Sequence, residues 1–100
     1  MAKILVADDD LFYRNLVADS LVAMGHEVTK AADGNEALQE WLLSEQPFDC
    51  LVLDVYMDKI TGLDLLEKIR EITAITNDRK KRAPVIIMTS DEKVETELEA

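Results

Sequence analysis

The sequence predicts an α/β fold built on a parallel sheet, and three observations carry that expectation. The short apolar runs Ile4-Leu5-Val6-Ala7, Leu51-Val52-Leu53 and Val85-Ile86-Ile87-Met88 have the unbroken hydrophobicity of strands buried on both faces. Between them lie segments with apolar residues at helical spacing, the alternation that produces a parallel sheet with right-handed crossovers. Each run also delivers carboxylates or hydroxyls where it stops: Asp8-Asp9-Asp10, Asp54, and Thr89-Ser90-Asp91.

Taken in order, residues 3–7 read as the first strand, and Asp9 or Asp10 can cap the helix that follows, where a carboxylate meets the positive end of the helix dipole. That helix is expected over residues 11–24, with Phe12, Leu16, Leu21 and Met24 inward and Gly25 as its C-terminal stop. Residues 26–30 form a shorter, less apolar strand suited to a sheet edge, and His26 reads as a surface loop histidine rather than a metal ligand. Asp33-Gly34 signals a turn into a helix over residues 35–44, whose apolar stripe is Ala37, Leu38, Trp41 and Leu42. Trp41 belongs to the core on this reading.

The third strand, Cys50-Leu51-Val52-Leu53-Asp54, is the one on which the chain centres. Burying an unpaired charge is expensive, so packing alone explains Asp54 poorly. At the carboxyl end of a parallel strand it faces the crevice where open α/β sheets bind ligands. After a loop over residues 55–61, Gly62 precedes a third helix with Leu63, Leu66, Ile69 and Ile72 or Thr73 inward. Residues 76–83 form a polar, basic loop, Pro84 admits the fourth strand, and residues 91–100 are expected to begin a fourth, acidic helix.

The length of 100 residues suits one small domain with a single core, and 48% apolar residues mark a globular chain. A formal net charge of -10 argues against a nucleic-acid-binding surface, since phosphate contacts need clustered Lys and Arg. The basic cluster Arg79-Lys80-Lys81-Arg82 reads as a solvated loop. No apolar run approaches the ~20 residues of a membrane span. Met1-Ala2-Lys3 leads straight into a strand, so no signal peptide is expected, and Cys50 reads as a small buried hydrophobe in a reducing cytoplasm.

Asp8, Asp9 and Asp54 brought to one crevice repel one another unless a cation joins them. Mg2+ suits such a set because it is hard, prefers oxygen and accepts one or two carboxylates while keeping waters. Asp54 could then act as a nucleophile and form an acyl phosphate, with catalysis mostly by positioning and charge neutralisation. Thr89 could donate its hydroxyl to a phosphoryl oxygen.

Several motifs together, Ile4-Leu5-Val6-Ala7-Asp8-Asp9-Asp10, Ala32-Asp33-Gly34-Asn35-Glu36-Ala37-Leu38, Leu53-Asp54-Val55-Tyr56-Met57 with Gly62, and Pro84-Val85-Ile86-Ile87-Met88-Thr89-Ser90, resemble the receiver domain of bacterial two-component response regulators. The resemblance covers essentially the whole chain, residues 1–100, in order and with fitting spacing. It implies a flavodoxin-like (CheY-like) doubly wound parallel sheet with strand order 2-1-3-4-5. It further implies Asp54 as phosphoacceptor, Asp8 and Asp9 with the Tyr56 backbone carbonyl as Mg2+ ligands, and Thr89 as the switch hydroxyl that follows the phosphoryl group. The phosphoryl donor it implies is a phosphohistidine on a sensor histidine kinase or phosphotransfer protein, and the chain is then a cytoplasmic signalling switch rather than an enzyme.

Two departures from the family shape the expectations. Asp58 stands after Met57 where the family usually has Pro, adding negative charge and loosening the backbone near the site. The sequence also stops at Glu99-Ala100, inside the expected fourth helix, without the family's fifth strand, its phosphate-binding Lys, or its fifth helix. The fourth strand would then be a bare apolar edge, and the expectation is either a homodimer through that edge, if the chain stands alone, or a fragment of a longer regulator. Two other functions compete. A pseudo-receiver would bind partners without phosphorylation, favoured by the missing Lys. A haloacid-dehalogenase-type Mg2+-dependent phosphohydrolase would use Asp8 as nucleophile and Asp10 as acid.

Overall fold

The computed structural model describes residues 1–55, 57, 61–76, 84–88 and 95–99. Its elements run β1 (Lys3–Ala7), α1 (Leu11–Ala23), β2 (Glu27–Ala31), α2 (Gly34–Leu43), β3 (Cys50–Asp54), α3 (Gly62–Thr76), β4 (Pro84–Met88) and β5 (Glu95–Glu99). The strands form one sheet in the order β2-β1-β3-β4-β5. The first four are mutually parallel, and β5 runs antiparallel to β4.

Alternate strand residues feed two cores, as the period-2 geometry of a strand dictates. On one face Leu5, Ala7, Leu51, Leu53 and Val85 pack against Ala37 and Trp41 of α2 and Leu65, Leu66 and Ile69 of α3. On the other, Ile4, Val6 and Val52 pack with Tyr13, Val17 and Leu21 of α1. Helices on both faces make the sheet doubly wound, and the flavodoxin-like expectation holds.

The helix boundaries have local causes. Asp10 caps α1 by accepting from the backbone N–H groups of Phe12 (2.9 Å) and Tyr13 (3.3 Å). Gly25, at φ 93°, supplies the left-handed residue that ends it. Asp33 caps α2 through the Glu36 N–H at 2.8 Å, and the Thr61 hydroxyl caps α3 through the Asp64 N–H at 3.1 Å. Trp41 is a core residue, 1% exposed. His26 is half-buried, and its Nδ1 accepts from the Ala2 N–H at 3.0 Å, a structural role at the start of β1.

Several expectations are corrected. In α1, Phe12, Leu16 and Met24 are exposed, and the buried face is Tyr13, Val17, Ala18 and Leu21, of which only Leu21 was expected. That helix is apolar on nearly every side, so its sequence does not select a face. In α3, Leu63 is exposed and Leu65 is buried in its place, and in α2 Leu42 is largely exposed. The expected helix over residues 91–100 gives way to strand β5 at Glu95–Glu99, paired Pro84↔Glu99 through Met88↔Glu95. A helix that short is marginal without packing, whereas the free edge of β4 offers a full ladder of hydrogen bonds. Because β5 occupies that edge, the basis for a homodimer through β4 is removed. The basic cluster Arg79–Arg82 and Asp58 lie outside the described residues.

Candidate metal centre

The site follows from strand register. Ala7 pairs with Leu53, so Asp8 and Asp54 stand side by side at the carboxyl ends of two neighbouring parallel strands. The Asp8 N–H donates to the Ala31 carbonyl at 3.2 Å, extending the β1–β2 ladder by one residue and fixing where the Asp8 side chain emerges. Both carboxyls are withdrawn from solvent, Asp8 at 2% and Asp54 at 4% exposure, while Asp9 is exposed. One carboxylate oxygen from each of Asp8, Asp9 and Asp54 lies within 4.8 Å of the others. The expected metal trio is therefore brought together.

Burial pushes the Asp8 carboxyl above its ordinary value, and the charges of Asp9 and Asp10 push the same way. Hydrogen bonds with the Asp10 backbone and the Asp54 side chain oppose that rise without cancelling it. Carboxyls this close cannot all ionise freely, and a hard divalent cation relieves both the repulsion and the desolvation. The all-oxygen donor set fits Mg2+.

Asp10 has a separate task. Its carboxylate is spent on capping α1, and its N–H donates to Asp8 Oδ1 at 2.9 Å. A phosphohydrolase with Asp10 as acid needs that carboxyl turned toward the nucleophile, so this geometry disfavours the haloacid-dehalogenase reading.

Two contacts at the site were not read from the sequence. Arg14, half-buried on the first turn of α1, donates from Nη1 to the Asp8 carbonyl oxygen at 2.9 Å. A cation so near a helix N-terminus opposes the dipole, and that anomaly was the available signal. Gly62 donates its N–H to the Val55 carbonyl at 3.0 Å, and a Cβ at this position would collide with the Asp54 carbonyl oxygen. Met57, 7% exposed, belongs to the core. Tyr56 and Thr89 lie outside the described residues. The strand leading to Thr89 ends at Met88, in register with Asp54.

A doubly wound parallel sheet with an acidic trio where β1 and β3 end is the architecture of a metal-dependent phosphoryl-accepting module. The chain belongs to the response regulator receiver domain family, whose family model matches residues 4–100. Members of this family are the phosphorylation-dependent switches of two-component signalling. The chain is 33% identical over 89 residues to a probable chemotaxis protein CheY of Rhizobium etli, covering 88% of this chain and 64% of that protein. It is 34% identical to the transcriptional regulatory protein ZraR of Escherichia coli, covering 97% of this chain and 20% of that one. Among solved structures it resembles the chemotaxis response regulator CheY4 of Vibrio cholerae, with TM-score 0.77, 32% identity, and 92% and 71% coverage of the two chains. It also resembles TrrA of Thermotoga maritima, solved in complex with Mg(2+)-BeF, with TM-score 0.72, 32% identity, and 92% and 72% coverage. The chain thus spans less than two thirds of these curated relatives. Among the described residues no helix is long and apolar enough to cross a membrane.

Proposed function

We propose that this chain is a receiver that switches on phosphorylation of Asp54 within a cytoplasmic two-component phosphorelay. The observation that carries the reading is the meeting of Asp8, Asp9 and Asp54 at one edge of the sheet. Asp8 and Asp9, with the Tyr56 backbone carbonyl, would hold the metal, and Asp54 would present its carboxylate as nucleophile. The donor is a phosphohistidine on a sensor histidine kinase or phosphotransfer protein. An Asp54 carboxylate oxygen forms a bond to phosphorus as the P–N bond breaks, and the imidazole leaves with the electron pair and takes up a proton. Bound Mg2+ supplies charge neutralisation for the phosphoryl oxygens. The Thr89 hydroxyl then follows those oxygens and relays the change. The reaction is stoichiometric, so the protein acts as a switch rather than a turnover enzyme.

The test is the intact mass of the chain after incubation with MgCl2 and acetyl phosphate. Gain of one phosphoryl group, lost in Asp54→Asn and in the presence of a chelator, is the expected result. Absence of any gain, persisting in a chain extended through a further strand, would favour a pseudo-receiver that only binds partners; gain restored by the extension would mean that residues 1–100 are an incomplete receiver.

A further inference from the structure

We infer that Arg14 is a positioning residue for metal binding, locking the β1–α1 turn that carries Asp8 and Asp9; the inference rests on the Mg2+ site proposed above. Besides its hydrogen bond with the Asp54 side chain, Asp8 makes three bonds that bear on the turn. Its N–H donates to the Ala31 carbonyl at 3.2 Å, its Oδ1 accepts from the Asp10 N–H at 2.9 Å, and its carbonyl accepts from Arg14 Nη1 at 2.9 Å. The first is made by the backbone and the second by the Asp8 carboxylate, and neither depends on the Arg14 side chain. The third depends on Arg14 alone, and it acts on the peptide that joins the buried ligand Asp8 to the exposed ligand Asp9. A ligand pair whose connecting peptide can rotate offers its two carboxylates at variable spacing, and a small ion with strict octahedral demands tolerates this badly.

The sign of the effect separates positioning from simple charge. Arg14 is a cation beside a cation site, so by Coulomb's law its removal should tighten Mg2+ binding. Removal of a positioning bond should weaken it. Arg14 also reaches Asp8 from half-burial on α1, which lets the aliphatic stem pack while the guanidinium bridges helix and turn. Arg14→Met keeps most of that stem and deletes the donors. Arg14→Lys keeps the charge and one donor group.

The experiment is calorimetric titration of the parent chain, Arg14→Met and Arg14→Lys with MgCl2, alongside thermal unfolding of each in chelator. The expected result is Mg2+ affinity roughly tenfold weaker in Arg14→Met, as for loss of an outer-sphere contact to a metal ligand, with partial recovery in Arg14→Lys. Unchanged or tighter binding in a folded Arg14→Met would overturn the positioning role while leaving the receiver reading intact. A lower melting temperature with unchanged affinity would reduce Arg14 to a structural contact and likewise overturn it. Failure of the parent chain to bind Mg2+ would overturn both readings at once. If Arg14→Met does not fold, Arg14→Lys decides: parent-like affinity overturns the inference, and an intermediate loss supports it.

Discussion

Gly62 sits against the carbonyl of Asp54 so tightly that a methyl group at position 62 has no room: its Cβ would overlap the Asp54 oxygen and crowd the Val55 Cα. The atoms in the way are backbone, which cannot swing aside like a side chain. Gly62→Ala must therefore shift either the start of α3 or the end of β3, and the latter carries Asp54, the proposed phosphoacceptor. Overpacking of this kind costs about 1–3 kcal/mol. We expect a lower urea midpoint and slower phosphoryl gain from acetyl phosphate in Gly62→Ala. Parent-like values of both would show that the β3–α3 turn relaxes freely.

Trp41 and Leu65 predict the weight of the α2/α3 core. Both are almost fully buried against Leu5, Leu51 and Leu53. Trp41→Ala removes the largest fully buried side chain among the described residues and should cost about 3–5 kcal/mol. Leu65→Ala should cost about 2–5 kcal/mol, and Leu63→Ala, at an exposed position one turn boundary away, only a fraction of that. Denaturant unfolding of the three variants checks the order. Equal losses for Leu63 and Leu65 would contradict the register of α3.

That register marks the boundary of what was legible in the sequence. Strands β1, β3 and β4 announced themselves as apolar runs, and their parallel arrangement followed from the intervening helices. The meeting of Asp8, Asp9 and Asp54 followed in turn, because carboxyl ends of adjacent parallel strands share one edge of the sheet. Helix faces were harder. Leu11, Phe12, Tyr13, Leu16, Val17, Leu21 and Val22 surround α1 with apolar side chains, and only tertiary packing selects Tyr13, Val17 and Leu21. The glutamates of residues 95–99 read locally as helix, whereas their partner as a strand is β4, a choice set by the sheet edge and invisible to local pattern. Arg14 escaped notice because its partner is a backbone carbonyl, and the one sign of it in the sequence is a cation set against the helix dipole.

Asp10 predicts a separation between folding and metal binding. Its carboxylate accepts from Phe12 and Tyr13, and only its backbone N–H touches Asp8. Asp10→Ala deletes the cap but keeps that N–H. The expected outcome is a stability loss of about 1 kcal/mol, read by chemical denaturation, with phosphoryl gain on Asp54 retained. Loss of covalent chemistry at parent-like stability would instead restore Asp10 as an acid and revive the phosphohydrolase reading.

Asp8 predicts how stability depends on pH and on metal. Its pKa is raised in the folded chain above the ordinary value of 3.8, chiefly by burial. Between 3.8 and the raised value, the folded state therefore holds more proton at Asp8 than the unfolded state does. The unfolded state binding fewer protons means that unfolding free energy falls as pH rises through this window. The Asp8 contribution is thus fully present below 3.8 and lost as pH passes the raised value. In chelator, the melting temperature of the parent should fall across that window relative to Asp8→Asn, which cannot titrate there. On the proposed reading Mg2+ binds the ionised carboxylates of the folded state, so saturating MgCl2 should raise the parent's melting temperature most at the upper end of the window. The same salt should leave Asp8→Asn nearly unmoved. If the parent and Asp8→Asn run parallel in chelator, burial is not straining Asp8, and the electrostatic reason for a cation at this site is lost.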